Sequence, residues 1–200
     1  DFYVGHKYAP GGYLWIFPKG NGLANVGIGI SGKHSKKRSA RLFLDDFVNK
    51  KFPNASKLTT VCGGIPVDKP LSKPINHGIL LVGDAAHHVN PVTGGGISSG
   101  MTAGWIAGQV SAKLVKKNRF DIKSLQAYPD WLFKEFGNKY SRIYNISSAI
   151  RKLSDEDFNK IAVKIKKLPK EKRTLNRIFS TALFNKPRLI IDVIKVFAGI

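Results

Sequence analysis

The stretch 78–115, GILLVGDAAHHVNPVTGGGISSGMTAGWIAGQVSAKLV, constrains the fold of this chain more than any other. Four apolar residues, Ile79 to Val82, run into Gly83-Asp84; two histidines, Pro91, a triple glycine and an alanine- and glycine-rich pattern follow. That order predicts a buried strand, a turn, a glycine loop and a helix N-terminus. A strand apolar on both faces belongs inside a parallel sheet, whose carboxyl ends open on the crevice where such sheets bind ligands. Asp84 would stand there, able to accept hydrogen bonds from the hydroxyls of a sugar or polyol. Gly94, Gly95 and Gly96 let the backbone approach a ligand closely. From about Ile97 the helix would turn free N–H groups and the positive end of its dipole toward a phosphate or another electron-rich group. Ala103, Gly104, Ala107 and Gly108 recur at helical spacing and predict close packing of this helix on the sheet.

Gly83-Asp84-Ala85-Ala86-His87, Pro91 and Gly94 to Gly96 resemble the second flavin motif of the p-hydroxybenzoate hydroxylase superfamily. Upstream, Tyr13-Leu14-Trp15-Ile16-Phe17-Pro18-Lys19-Gly20, followed by Asn25-Val26-Gly27, resembles the Tyr-x-Trp-x-Phe-Pro-x-Gly signature of the geranylgeranyl reductase family. The two motifs stand in the family's order, and the resemblance covers nearly the whole chain. It implies FAD as cofactor, with Asp84, Gly96 and Ile97 holding the flavin and Gly83, Pro91, Gly94 and Gly95 shaping the loop. It further implies saturation of isoprenoid double bonds in geranylgeranyl chains of membrane ether lipids. Electrons would come from NAD(P)H or a ferredoxin. Tyr13, Trp15 and Phe17 would line the prenyl channel, with Gly64 and Lys139 as further substrate contacts. Relatives in this superfamily open with a strand, a Gly-x-Gly-x-x-Gly turn and a helix that hold the adenosine half of FAD, and no such unit precedes Asp1. The expectation is therefore the C-terminal part of a longer protein, completed by its N-terminal part and inactive or incomplete without it.

Composition narrows the partners. The 200 residues carry 33 Lys and Arg against 13 Asp and Glu, a formal net charge of +20, which predicts attraction to an anionic membrane face, a phosphorylated substrate or nucleic acid. A nucleic-acid-binding module would explain the charge. However, the basic residues fall on helical repeats and do not alternate with exposed aromatics as stacking platforms do, so a role without nucleic acid is expected. A single cysteine, Cys62, excludes an internal disulfide framework and suits a reducing cytoplasm. No run of about 18 apolar residues is present, so no spanning helix is expected. The localisation these features suggest is cytoplasmic, peripheral to the inner face of the cell membrane.

Along the chain, period-two alternation places Tyr13, Trp15 and Phe17 on one face of a strand, and 18–22 is turn chemistry, which predicts an antiparallel hairpin. From spacing alone the three rings read as a core face; the resemblance makes them a substrate wall. Gly27-Ile-Gly29-Ile-Ser-Gly32 matches Gly-x-Gly-x-x-Gly literally. A basic run follows it, though, and Asp45 and Asp46 lie in a helical pattern, so it reads as the end of the sheet strand. Residues 39–51 read as an amphipathic helix and 58–67 as a strand bearing Gly63-Gly64 and Pro66. Cys62 within it reads as a small buried hydrophobe. His87 and His88 read as loop-shaping residues, since His6, His34 and His77 are scattered and give no metal-ligand spacing.

Residues 124–153 form a long helical pattern interrupted near Pro129. Ser154 caps a new helix through a Ser-x-x-Asp box, Pro169 opens another as far as about Phe184, and 189–200 is an apolar helix. The basic tail, Lys160 to Arg177, reads either as a solvated face or as a surface for anionic head groups. Lys139 and Arg142 are candidates for a phosphate contact.

The fold class expected is α/β (α+β), in three parts. Residues 1–60 form part of an antiparallel substrate-binding domain, 61–118 the C-terminal part of a Rossmann-like FAD-binding domain, and 119–200 a helical C-terminal region. A flavoprotein hydroxylase of the same superfamily is the alternative activity. The Tyr-x-Trp-x-Phe-Pro run and the absence of a polar pocket for a small aromatic acid argue against it.

Overall fold

The computed structural model describes residues 1–173 and Thr181. The expected continuation of the Pro169 helix to Phe184 and the apolar helix at 189–200 lie outside the described residues, apart from Thr181. The chain mixes helix and sheet, and its described residues divide into two units, Asp1–Val61 with 149–173 and Thr181, and Cys62–Ser148.

In the first unit, β1 (Phe2–Val4), β2 (Tyr13–Gly20) and β3 (Leu23–Gly29) form an antiparallel meander in that order. The hairpin forms within the stretch 18–22 as the turn residues dictate. The strand runs on to Gly20, and the reversal falls on Asn21 and Gly22, at φ 50° and 73°, the paired positive values of a two-residue turn matched to strand twist. Alternation splits β2 cleanly. Leu14 and Ile16 are buried, while Tyr13, Trp15 and Phe17 point to the opposite, partly exposed face. The core face is therefore the aliphatic one. Tyr3 stands opposite Leu14 in the register, and its ring meets Phe47 of α2 (Ala40–Lys51) at 4.9 Å.

Helix α2 follows a one-turn helix, α1 (Gly32–Ser35), and starts where a serine can cap it, the Ser39 side chain accepting from the Leu42 N–H. The Gly-x-Gly-x-x-Gly look-alike is divided between β3 and α1, which confirms its reading as a strand end.

Also in this unit, α7 (Asp155–Lys166) carries the full capping box, with Ser154 and Asp157 bonded reciprocally and Asp155, Glu156 and Asp157 in the first turn. The Asp155 carboxylate accepts from the backbone N–H groups of His6 (2.5 Å) and Lys7 (3.1 Å), tying the β1–β2 loop to this helix. Leu153 and Ile161 form a small core with Ile150, Phe158 and Ile165.

The second unit is built around α3 (Ile97–Val115), which packs Ala103, Ile106, Ala107 and Val110 against Tyr128, Leu132 and Phe136. These come from a long helical run after α4 (Ile122–Leu125), namely α5 (Ala127–Leu132), a π turn at Phe133–Gly137, and α6 (Asn138–Ile150). The interruption expected near Pro129 falls at Gln126, which separates α4 from α5. Pro129 sits in the first turn of α5, where its missing N–H costs nothing, and the π turn that follows is a second irregularity.

Four expectations are corrected here. Residues 58–67 form no strand: Leu58 and Val61 are 78% and 90% exposed, and Gly63-Gly64 and Pro66 leave a run that finds no partner among the described residues. Cys62 is accordingly exposed, not a buried hydrophobe. Of the apolar run 79–82, only β5 (Ile79–Leu80) is strand. It pairs antiparallel with β4 (Ile75–Asn76), and Ile79 is 52% exposed. On α3, Ala103 and Ala107 are buried but Gly104 and Gly108 are exposed. The helix meets the strand end through the core cluster of Ala103, Ile106, Ala107 and Val110, against which Ile75, Leu80 and Val82 pack, and at Gly100 and Gly104, where an added Cβ would stand 3.8 Å from Gly83 Cα and 3.9 Å from Val82 Cγ1.

Candidate functional site

Two surfaces carry the residues singled out by sequence. In the second unit, the chain leaves β5 and turns at Gly83, φ +67°, into a short 3-10 helix, Gly83–Ala86, which ends with His87 in the left-handed region at φ 57°. Tyr128, fully buried, donates its hydroxyl to Leu81 O at 2.7 Å and so anchors the strand end; burial pushes its pKa up to about 12.

The loop onward to α3 is held by its own side chains. Asn90 Oδ1 accepts from the N–H groups of Val92 (3.0 Å) and Thr93 (3.1 Å). The Gly94 N–H bonds Asn90 O at 2.8 Å, and the Asn90 N–H bonds Gly95 O at 2.9 Å. Pro91 is buried beneath this turn. Gly94 needs its glycine, at φ +70°. Gly96 caps α3, and there a Cβ would crowd Val89 Cγ2 at 3.3 Å and Asp84 Oδ1 at 3.4 Å.

The expected cofactor residues Gly83, Asp84, Pro91, Gly94, Gly95, Gly96 and Ile97 are thus gathered on one turn-and-loop. Asp84 is exposed, and its carboxylate makes no hydrogen bond or ion pair among the described residues and lies beside Gly96 at the start of α3. Ile97, the first residue of the helix, is 84% exposed. An uncommitted carboxylate beside a glycine-lined helix start can accept hydroxyl hydrogen bonds while free N–H groups receive an anion. This donor and acceptor set fits a flavin dinucleotide.

Sequence reasoning missed the residues that hold this loop. Tyr128, Asn90 and Ser99 support it from behind, and Ser99, buried, donates its hydroxyl to His88 O at 2.5 Å. Asn-Pro at 90–91 was the available signal, since asparagine before a turn proline commonly bonds the backbone two residues on. His87 does shape the loop, its Nδ1 lying 3.1 Å from Lys69 O.

In the first unit, Tyr13, Trp15 and Phe17 form a continuous ladder on the exposed sheet face, with centroids 5.5 Å apart for Tyr13 and Trp15 and 6.0 Å for Trp15 and Phe17. Phe2 of β1 extends it, 5.7 Å from Tyr13 and 5.6 Å from Phe17. Gly27, opposite Trp15 in the register, leaves room for the indole to lie across β3. The other substrate candidates, Gly64 and Lys139, lie in the second unit. Gly64 is exposed with nothing within 4 Å of an added Cβ, and Lys139 stands exposed on α6. A shallow groove of about 580 Å³ is lined by Met101, Thr102, Trp105, Trp131 and Glu135 and contains none of the expected site residues.

Residues 1–65 match the family model described as the geranylgeranyl reductase catalytic domain. Digeranylgeranylglycerophospholipid reductase 1 of Methanococcoides burtonii is 41% identical over 95% of this chain and 46% of its own length. The digeranylgeranylglycerophospholipid reductase of Methanoculleus marisnigri is 37% identical over 96% of this chain and 49% of its own. Among solved structures, a geranylgeranyl bacteriochlorophyll reductase-like protein from Thermoplasma acidophilum superposes with a TM-score of 0.86 at 29% identity, covering 98% of this chain and 50% of that one. The chain spans about half the length of the relatives it matches.

Proposed function

The chain is related along nearly its whole length to the geranylgeranyl reductases, and from that kinship we propose that it forms part of an FAD-dependent reductase saturating isoprenoid double bonds of membrane ether lipids. The observation that carries the substrate class is the ladder of Phe2, Tyr13, Trp15 and Phe17, an apolar wall that the sheet does not use for its own core. A polyprenyl chain is long and apolar and offers no hydrogen bonds, so a flat aromatic surface can bind it only by contact area.

Residues 61–118 supply the C-terminal part of the FAD-binding domain. The Asp84 carboxylate accepts from ribityl or ribose hydroxyls, and the Gly94–Gly96 backbone and the free N–H groups of α3 receive the electron-rich parts of the cofactor. When bound and reduced, the flavin would supply a hydride to one carbon of the double bond while a proton adds to the other, its electrons drawn from NAD(P)H or a ferredoxin. Tyr13, Trp15 and Phe17 keep the alkene chain extended and exclude water. The exposed cations of α7 and the turn after it, Lys164, Lys166, Lys167, Lys170 and Lys172, face anionic head groups and hold the protein at the membrane where its substrate resides. Among the described residues no helix is long and apolar enough to cross a membrane.

The test is product mass. Full-length protein, reduced anaerobically and given a geranylgeranylated glycerophospholipid, is expected to yield lipid heavier by two hydrogens per bond. Unchanged lipid beside fully reduced, folded protein would count against the reading.

A further inference from the structure

The turn carrying Asp84 is closed by a histidine whose chemistry goes beyond filling space. Gly83 and His88 are joined twice: the His88 N–H donates to Gly83 O at 3.0 Å, and the Gly83 N–H donates to His88 Nδ1 at 3.1 Å. A ring nitrogen that accepts carries no proton, so a neutral His88 must hold its proton on Nε2. That Nε2 is buried and has no hydrogen-bond partner among the described residues. The ring beside it is Phe136 of the π turn, at 5.3 Å and 83°, which offers no hydrogen-bonding atom. An apolar side chain would avoid the unsatisfied N–H, so the imidazole is explained by what Nδ1 does. Its own carbonyl, accepting from Ser99 of α3, ties the same residue to the helix.

We propose that His88, neutral and protonated on Nε2, is the positioning residue that locks Gly83 and thereby sets Asp84 against the start of α3. The inference rests on the flavin reading for what Asp84 and α3 hold, while the lock itself is a property of this chain alone. Protonation of Nδ1 would set a donor against the Gly83 donor and open it. Burial holds the ring neutral, with a pKa pushed down to about 4, and His87 beside it opposes a second charge. The other titratable groups around it are Asp84 on the same turn and, from the packed helix, Tyr140, whose ring meets Phe136 at 5.1 Å, with Lys134 and Glu135 exposed on the π turn.

Two measurements on the full-length protein test the lock. In FAD titrations of apoprotein, His88→Leu is expected to weaken binding about tenfold, equivalent to about 1.4 kcal/mol. His88→Asn, which keeps an acceptor near the Nδ1 position, should stay within about threefold of wild type. Rescue by asparagine but not leucine is the reverse of what packing alone would give. Equal loss in both variants, or none in leucine, would overturn the proposal.

Independently of flavin, long-range proton–nitrogen spectra of the histidine-labelled apoprotein should show one ring that remains the neutral Nε2–H tautomer down to about pH 5 and disappears in His88→Asn. A residue-88 signal titrating near pH 6.5, the unperturbed value, or carrying its proton on Nδ1, would refute the lock. A wild-type protein that shows this signature but binds no FAD would refute the flavin reading and leave the lock standing.

Discussion

Replacing Gly27 by alanine tests how the aromatic wall is built. A Cβ at that position would stand 2.5 Å from Trp15 Cε2 and 2.9 Å from Cη2, closer still to Cζ2, where relaxed carbon atoms keep about 3.5–4.0 Å. Strand β3 cannot absorb a shortfall of about 1 Å, because it is paired with β2 from Leu23 to Gly29. The indole must swing away. It then loses its contacts with Tyr13 (5.5 Å, 51°) and Phe17 (6.0 Å, 28°), each worth about 0.5–1.5 kcal/mol. The expected destabilisation is about 1–3 kcal/mol, the usual scale of overpacking. The assay is denaturant unfolding in a double-mutant cycle with Trp15→Ala. Without the indole, Gly27→Ala should be neutral or mildly stabilising, since alanine loses less conformational freedom than glycine on folding. An equal cost for Gly27→Ala in both backgrounds would refute the packing argument.

Other perturbations give separate checks. Tyr128→Phe removes the hydroxyl that satisfies Leu81 O and should cost about 1–3 kcal/mol in thermal or denaturant unfolding. Ser154→Ala removes the side-chain half of the α7 capping box and leaves the backbone N–H of residue 154 donating to Asp157, with an expected cost of about 1 kcal/mol. His88 makes stability pH-dependent: its folded pKa of about 4 lies below the unfolded value of 6.5, so the unfolded chain binds the extra proton. The contribution is full above pH 6.5 and lost as pH falls toward 4, by at most about 3 kcal/mol, and His88→Asn should flatten the slope in that window. Asp84→Asn should weaken FAD binding about tenfold or more without lowering the unfolding midpoint, because the carboxylate is exposed and bonds no described residue.

What sequence made legible was what local chemistry decides. The reversal within 18–22, the Ser154 cap and the period-two β2 follow from residues a few positions apart, and each appears as expected. The glycine loop was legible for the same reason: Gly83, Gly94 and Gly96 stand where a positive φ or a crowded Cβ excludes other residues.

Long-range partnership was not legible. An apolar run such as 79–82, or 58–67, reads as a buried strand only on the assumption that a neighbour exists, and the described residues supply at most a two-residue hairpin. Cys62 was misplaced for the same reason. Of the residues behind the Asp84 loop, Tyr128 comes from a distant helix, and both it and Ser99 bond to backbone atoms, and backbone acceptors leave no trace in a side-chain pattern.

The central claim is tested most directly by the visible absorption spectrum of the full-length protein purified from cells, followed through anaerobic reduction and addition of a geranylgeranylated phospholipid. Flavin bands that bleach on reduction and return on adding the lipid are the expected result. A folded protein that carries no flavin and takes up none when FAD is added would contradict the account.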